Sequence, residues 1–527
     1  MKAFLMYRDR DFTASEAGVP NAADLVQDLE LEKVLETMGA GDKFLLEAAR
    51  PALLVSLGSV DAVLYRQHIL TDCLEHPSVV REIYDIAGEA IEREKKIWGW
   101  MSSRYPSGTL HRGIDVLEIF SELLRKLRRV AAENGAGFHS EGFRRLFEMI
   151  ATELDEAYMA TIDDHLVKLK FRGALVMTAA LGTRNKGVDY VLRKPWFDRR
   201  RWWEKTRDWL TGRNNSQLYY EIPDRDEAGF RALSELTDEG IGDVAAALAQ
   251  SSDHILGFFS MLRLELAFYI GCINLRDRLL AKGERVCLPE PLPLGHATLS
   301  AQGLYDPSLS LRTADRVVSN NVKGTDKTLI FVTGANRGGK STLLRSIGVA
   351  QLMMQAGMFV PAESFRADIR MNVFTHFKRE EDASMKSGKL DEELRRMTSI
   401  IDRLPSNSLI LFNESFASTN EREGSEIARQ IVRGLLEAHV KVVYVTHMYD
   451  LSHGFYSANL KSALFLRAER GADGERTYRL SEGEPQPTSH GEDLYRRIFG
   501  NSADVTETNR ACEEASNLIE PVKQPNY

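Results

Sequence analysis

A chain of 527 residues, 43% hydrophobic and 27% charged, is long enough for several domains and has an ordinary soluble composition. Its 68 basic and 76 acidic residues leave a net charge of −8, which excludes whole-molecule attraction to nucleic acid or an anionic membrane; such binding needs a local patch. The four cysteines, Cys73, Cys272, Cys287 and Cys512, form no CxxC pair or Cys/His cluster, which argues against a zinc site or disulfide framework and for a reducing, cytoplasmic setting.

The N-terminal MKAFLMYRDRDF carries charges where a signal peptide needs an apolar run. No run of about 18 uncharged apolar residues occurs, so neither secretion nor a membrane span is expected. From Leu25 to about Leu181 apolar residues recur at helical spacing, as in Phe143, Leu146, Ile150, Leu154, Tyr158 and Ile162, which predicts long helices. A second helical pattern runs from about Asp238 to Leu280, so two helical arms flank an insertion at about 182–225.

That insertion is basic and aromatic. Between Arg184 and Arg213 ten Lys/Arg outnumber four acids, a local balance of +6, and four of the chain's six tryptophans lie here. Cations interleaved with aromatic faces suit phosphate contact plus stacking or wedging, which makes Arg193, Lys194, Arg199, Arg200, Arg201, Trp202 and Trp203 candidate DNA contacts. The competing reading has the tryptophans packing the arms together and the arginines forming a solvated face.

Pro289-Glu-Pro-Leu-Pro293 favours extended backbone and sets a boundary between a helical segment, 1–290, and a second domain, 291–500, followed by a tail, 501–527. Beyond it, short apolar runs (Thr328–Thr333, Leu409–Phe412, Val442–Thr446) alternate with helical stretches, the pattern of an α/β fold with a buried, mainly parallel sheet. Ala463–Arg467 and Arg476–Leu480, joined by a turn around Gly471–Gly474, read as an added hairpin.

Gly334-Ala335-Asn336-Arg337-Gly338-Gly339-Lys340-Ser341, followed by Thr342, matches GxxxxGK[ST] between a predicted strand and a predicted helix, the setting this motif needs. The glycines let backbone amides turn toward phosphate oxygens, and the helix start adds its positive end. Lys340 would neutralise the β- and γ-phosphates while adding nothing to a core, and Ser341 offers a hydroxyl to Mg²⁺, so ATP with Mg²⁺ is the expected ligand.

The run ending in Asn413-Glu414, 74 residues after Lys340, brings a general-base candidate in Glu414. Asn413 stands where such strands usually end in Asp; its amide oxygen can accept from a metal-bound water but carries no charge, which leaves weak Mg²⁺ binding or slow turnover open. The run Lys441–Thr446 ends at His447, positioned to sense the γ-phosphate, although a histidine at a strand end is by itself more often structural.

Together, Thr333–Thr342, the Asn413-Glu414 strand end and Val445-Thr446-His447 resemble the ATPase domain of the MutS family of DNA mismatch repair proteins. The resemblance runs more weakly over residues 25–500, through Asp61–Val80, similar to that family's helical core, to Thr488-Ser-His-Gly491. It implies an ABC/MutS-like P-loop ATPase domain behind a mostly α-helical core and lever. It also implies a clamp-like place for the basic insertion, DNA as partner, and a homodimer in which a loop of one subunit completes the other's nucleotide site. Here that loop is 416–424, where Asn420 can cap the following helix with Glu423 as reciprocal partner; the alternative is an ordinary capped helix within its own chain.

The chain departs from the family at Asn413, and at Asn420 where mismatch repair members have Ser. Neither a mismatch-reading domain before Leu25 nor a nuclease-like domain after about Gly500 is expected. The function expected is that of a dimeric, ATP-dependent DNA-binding protein in mismatch repair or related repair or recombination. Two rivals are a nucleotide-binding scaffold with negligible hydrolysis and an ABC-type ATPase acting on protein or RNA, the latter opposed by the lack of an LSGGQ-like signature.

Overall fold

The computed structural model describes residues 1–15, 19–98, 106–170, 176–183, 187–193, 227–379, 388–470 and 476–486. Its contacts divide into two units: Met1–Ala14 with His68–Ile273, and Ser15–Gln67 with Asn274–Tyr527.

In the first unit helices form because apolar residues return to one face every three or four positions. Pro106–Asn134 buries Leu110, Ile114, Phe120, Leu124, Leu127 and Ala131 on such a face and packs beside Pro77–Trp98. The continuous pattern through Phe143 and Ile162 is two helices, Glu141–Glu153 and Glu156–Leu169. Asp155 makes the break: its carboxylate accepts from Tyr158 N at 2.7 Å, satisfying a helix-start donor that a continuous helix would not leave free.

The helical pattern also stops short of Leu181, because Val176–Leu181 and Gly187–Arg193 pair as an antiparallel hairpin, consistent with their Val, Thr and Tyr content. Arg193 closes that hairpin opposite Val176. Lys194, Arg199, Arg200, Arg201, Trp202 and Trp203 lie outside the described residues. The second arm is a helix from Glu227 to Ala281. Its Asp238–Ala281 portion is long and apolar enough to cross a membrane, but 67% of that stretch's most apolar window is buried, as in a core helix. On this helix Glu265, fully buried, accepts from Leu5 N at 2.6 Å, Phe12 N at 3.3 Å and Met6 N at 3.4 Å, and Tyr269 Oη donates to Leu5 O at 2.5 Å. The N-terminal segment is thereby fastened to the helix.

The second unit contains a six-stranded sheet in the order Arg476–Glu482, Ala463–Arg470, Leu329–Thr333, Lys441–Val445, Leu409–Asn413, Val373–Phe377. Neighbours pair parallel except at the edge, where the first two form an antiparallel hairpin. Leu329–Thr333 and Lys441–Val445 are buried along their whole length, which is why both read as unbroken apolar runs. The Tyr444 ring packs against both Phe331 and Phe412.

The proline-rich stretch does more than link. Glu290–Leu292 joins a four-stranded sheet with Ser364–Asp368, Leu299–Leu304 and Asn320–Gly324. Residues 15–67 also belong to this unit, so one boundary near 290 is not how the contacts divide. Leu57 N donates to Gln355 O at 3.1 Å, Gln355 Nε2 to Ser56 Oγ at 2.9 Å and Arg66 Nη1 to Ala356 O at 3.0 Å. Periodicity reveals that the short helices Ala22–Asp28, Glu32–Gly39 and Lys43–Leu54 bury a face; it does not reveal which surface covers it.

Candidate functional site

Parallel register brings three strand ends to one edge. Val445 lies opposite both Asn413 and Val332, so the residues that follow, Gly334, Glu414 and His447, emerge at the carboxyl ends of neighbouring strands, where open α/β sheets form their crevices.

The loop after Thr333 depends on backbone that side chains would obstruct. Gly334 and Gly339 have φ of 112° and 90°, and Arg337 also takes the left-handed region at 60°. Gly338 is required for space instead: a Cβ there would lie 2.9 Å from Ala335 O and from Ala468 Cβ. Gly339 opens the helix Lys340–Gln355 without a side-chain cap, so its first-turn N–H groups face the loop as an anion site. Leu344, Ile347, Ala350 and Met354 are buried along that helix.

Lys340 folds back over the loop, its Nζ donating to Gly334 O at 2.8 Å, Ala335 O at 3.1 Å and Asn336 Oδ1 at 3.4 Å, with Glu414 Oε1 3.8 Å away. Burial pushes the ammonium below its ordinary value, and Glu414 opposes that shift. The lysine expected only to meet phosphates therefore also ties the loop together. Ser341 Oγ donates to Asn413 Oδ1 at 2.8 Å. The expected metal position thus has two neutral oxygens side by side, a donor set that fits Mg²⁺ keeping most of its water.

Glu414 has a φ of 54°, and its backbone N donates to Val445 O at 2.9 Å, fastening it to the next strand. His447 Nδ1 hydrogen-bonds its carboxylate. Burial opposes ionisation of Glu414, but that bond and the charges of His447 and Lys340 outweigh it and hold the carboxyl below its ordinary value. The same bond raises His447, against burial.

Asn420 caps the helix Glu421–Glu437, its Oδ1 accepting from Glu423 N at 2.9 Å. The reciprocal arm differs from expectation: Glu423's carboxylate takes the Asn420 side-chain amide at 3.3 Å and the Thr419 hydroxyl rather than the backbone of Asn420.

Asn336–Thr342 and Glu414 line a cleft of about 580 Å³ whose far wall sequence reasoning missed: Arg316, Val317, Val318, Asn320 and Tyr478. Asn320 Nδ2 donates to Tyr478 O at 3.2 Å while Leu480 N donates to Asn320 Oδ1 at 2.8 Å, which holds the edge strand beside the loop. Residues 158 and 160 positions apart make this wall, and no local motif announces it.

Strand, glycine loop, buried lysine and helix, with a carboxylate at the end of the strand two positions along the sheet, define a P-loop protein. A family model described as the MutS2 N-terminal domain matches residues 58–282, and one described as MutS domain V matches residues 330–501. Similar proteins include the MutS protein homolog 4 of Mus musculus, 31% identical over 173 residues, which are 33% of this chain and 17% of that protein. The endonuclease MutS2 of Lacticaseibacillus casei is 30% identical over 255 residues, 46% of this chain and 31% of that protein. The chain belongs to the MutS family. Its matches span less than a third of the length of these relatives.

Proposed function

We propose that this chain is an ATP-dependent DNA-binding protein of the MutS type, a homodimeric, Mg²⁺-dependent ATPase of the reducing cytoplasm that acts in DNA mismatch repair or related repair or recombination. The observation that carries this reading is that Lys340, Ser341 and Glu414 line one cleft, with Asn413 bonded to Ser341 and His447 to Glu414.

In this reading the P-loop amides and Lys340 hold the β- and γ-phosphates, and Ser341 with Asn413 holds the water shell of Mg²⁺. When bound, Mg²⁺ supplies charge neutralisation on those phosphates. His447 hydrogen-bonds the Glu414 carboxylate, and Lys340 Nζ lies 3.8 Å from it. A γ-phosphate at the loop competes for Lys340 and the His447 N–H, and Glu414 then orients the attacking water and takes its proton as the water oxygen bonds to the γ-phosphorus and the bond from phosphorus to the bridging oxygen breaks, with ADP as leaving group. Asn420, exposed at a helix start, reaches the partner's nucleotide. The basic aromatic insertion, including Arg199–Arg201 with Trp202 and Trp203, grips duplex or structured DNA.

Steady-state phosphate release tests the enzyme: Glu414→Gln should lower turnover on the order of 10²-fold or more while ATP binding survives. A wild-type chain that binds ATP and releases no phosphate favours the scaffold reading, for which the uncharged Asn413 is the motive. Filter binding across duplex, branched, mismatched and RNA ligands tests the partner, and retention of RNA alone would refute the DNA assignment.

A further inference from the structure

Behind Glu414 lies a set of buried polar groups that the proposed chemistry does not use. Glu393, on the helix Lys389–Ile401, is 4% exposed. Its carboxylate accepts from Phe416 N at 2.7 Å and from Ser418 Oγ at 2.9 Å. Ser415, fully buried between Glu414 and Phe416, is held from two further elements. Tyr444 Oη, on the strand Lys441–Val445, donates to its carbonyl at 2.8 Å. Its hydroxyl lies 2.5 Å from His376 O and 2.8 Å from His376 Nδ1, on the strand Val373–Phe377.

His376 Nε2 in turn lies 3.1 Å from the carbonyl of Glu393. Burial pushes the His376 imidazole down to about 4, so the ring is neutral near pH 7. A carbonyl can only accept, so Nε2 carries the proton; the single Ser415 hydroxyl proton is directed to His376 O, with the unprotonated Nδ1 beside it. Two strands and a helix thus converge on residues 415–418.

That convergence answers a backbone requirement. Glu414 and Phe416 both take left-handed φ, 54° and 60°, and neither is glycine. Side chains of this size keep that conformation only where the surroundings over-determine it. The Glu393 carboxylate grips the second of these residues through its N–H, and through Ser418 it grips the chain two residues before Asn420.

We propose that Glu393 is a positioning residue for nucleotide hydrolysis: it holds the 414–418 turn so that Glu414 faces the P-loop, and through Ser418 it sets where Asn420 begins its helix. The inference rests on the nucleotide reading of the cleft. A carboxylate of the core with no such role would affect stability alone.

The test compares the full chain with Glu393→Gln, which keeps the volume but leaves a single acceptor oxygen, and with Ser418→Ala, which removes one donor. Turnover is read as phosphate release, and binding as calorimetric affinity for AMP-PNP. Glu393→Gln should lower kcat about 10- to 100-fold, the range of lost positioning contacts, with AMP-PNP affinity unchanged. Ser418→Ala should lower kcat less, again at unchanged affinity. Wild-type kcat in a folded Glu393→Gln protein overturns the proposal, as does a fall in melting temperature with no separate loss of kcat. If Glu393→Gln does not fold, Ser418→Ala decides by the same split. A wild-type chain that binds no AMP-PNP overturns the nucleotide reading as well, whereas one that binds and hydrolyses while Glu393→Gln does the same overturns only the positioning role.

Discussion

Two buried carboxylates, one in each unit, use the same device for different ends. Glu265 accepts backbone N–H groups from Leu5, Met6 and Phe12; Glu393 accepts the N–H of Phe416 and the hydroxyl of Ser418. The first fastens an end of the chain to a helix. The second fastens a turn whose backbone is left-handed at two residues and whose first residue is the general-base candidate. A buried acceptor stabilises whatever backbone it holds, and whether this is felt as stability or as catalytic geometry depends on what that backbone carries.

The sharpest way to separate the two regions is Lys340→Ala. It removes the donor to Gly334 O and Ala335 O and the charge for phosphates while leaving the Glu265 clasp untouched. Nucleotide affinity should fall on the order of 10²-fold or more, since charge-assisted hydrogen bonds of about 1.5–3 kcal/mol each are lost. Isothermal titration reads it; wild-type affinity in a folded mutant would sink the assignment.

Glu265→Gln probes the other side. Burial pushes this carboxyl up from 4.5 to about 7, against the three backbone donors. The folded state therefore binds more protons than the unfolded state between those values. This group's contribution is greatest below 4.5, is lost as pH rises to about 7, and is constant above. The full loss is about 3 kcal/mol, at about 1.4 kcal/mol per pH unit of displacement. The difference in urea midpoint between wild type and Glu265→Gln should change across that window, with ATP turnover unaffected. A difference independent of pH would show that Glu265 does not titrate there.

The smallest effect is expected at Asn413→Asp. Either side chain can accept from Ser341 Oγ, so the geometry at 2.8 Å persists and only charge is added. Turnover at limiting Mg²⁺ should rise about tenfold, the low end of a charge-assisted bond. Slower phosphate release at every Mg²⁺ concentration would mean the asparagine is no handicap.

The candidate cleft was legible in part because its core elements are short-range. A glycine loop between an apolar strand and a helix is eight residues of local geometry, and the apolar runs ending at Asn413 and Val445 mark strands whose tips carry Glu414 and His447. Parallel pairing in register then leaves these tips little choice but to meet. The hairpin Val176–Leu181 with Gly187–Arg193 escaped because six apolar or small residues fit either period, and the break at Asp155 escaped because the apolar repeat runs straight across it.

Composition and motif therefore determined on their own the phosphate loop, the carboxylate strand end and the alternation of strands with helices, since each depends on residues close along the chain. Only the tertiary structure decided that residues 15–67 join the nucleotide unit, that Asn320 and Tyr478 wall the cleft, and that His376, Glu393 and Tyr444 meet behind Glu414. Those contacts join residues 17 to 299 positions apart, and a buried polar group leaves no periodic trace, because its partner is chosen by proximity in the fold rather than by spacing in the chain.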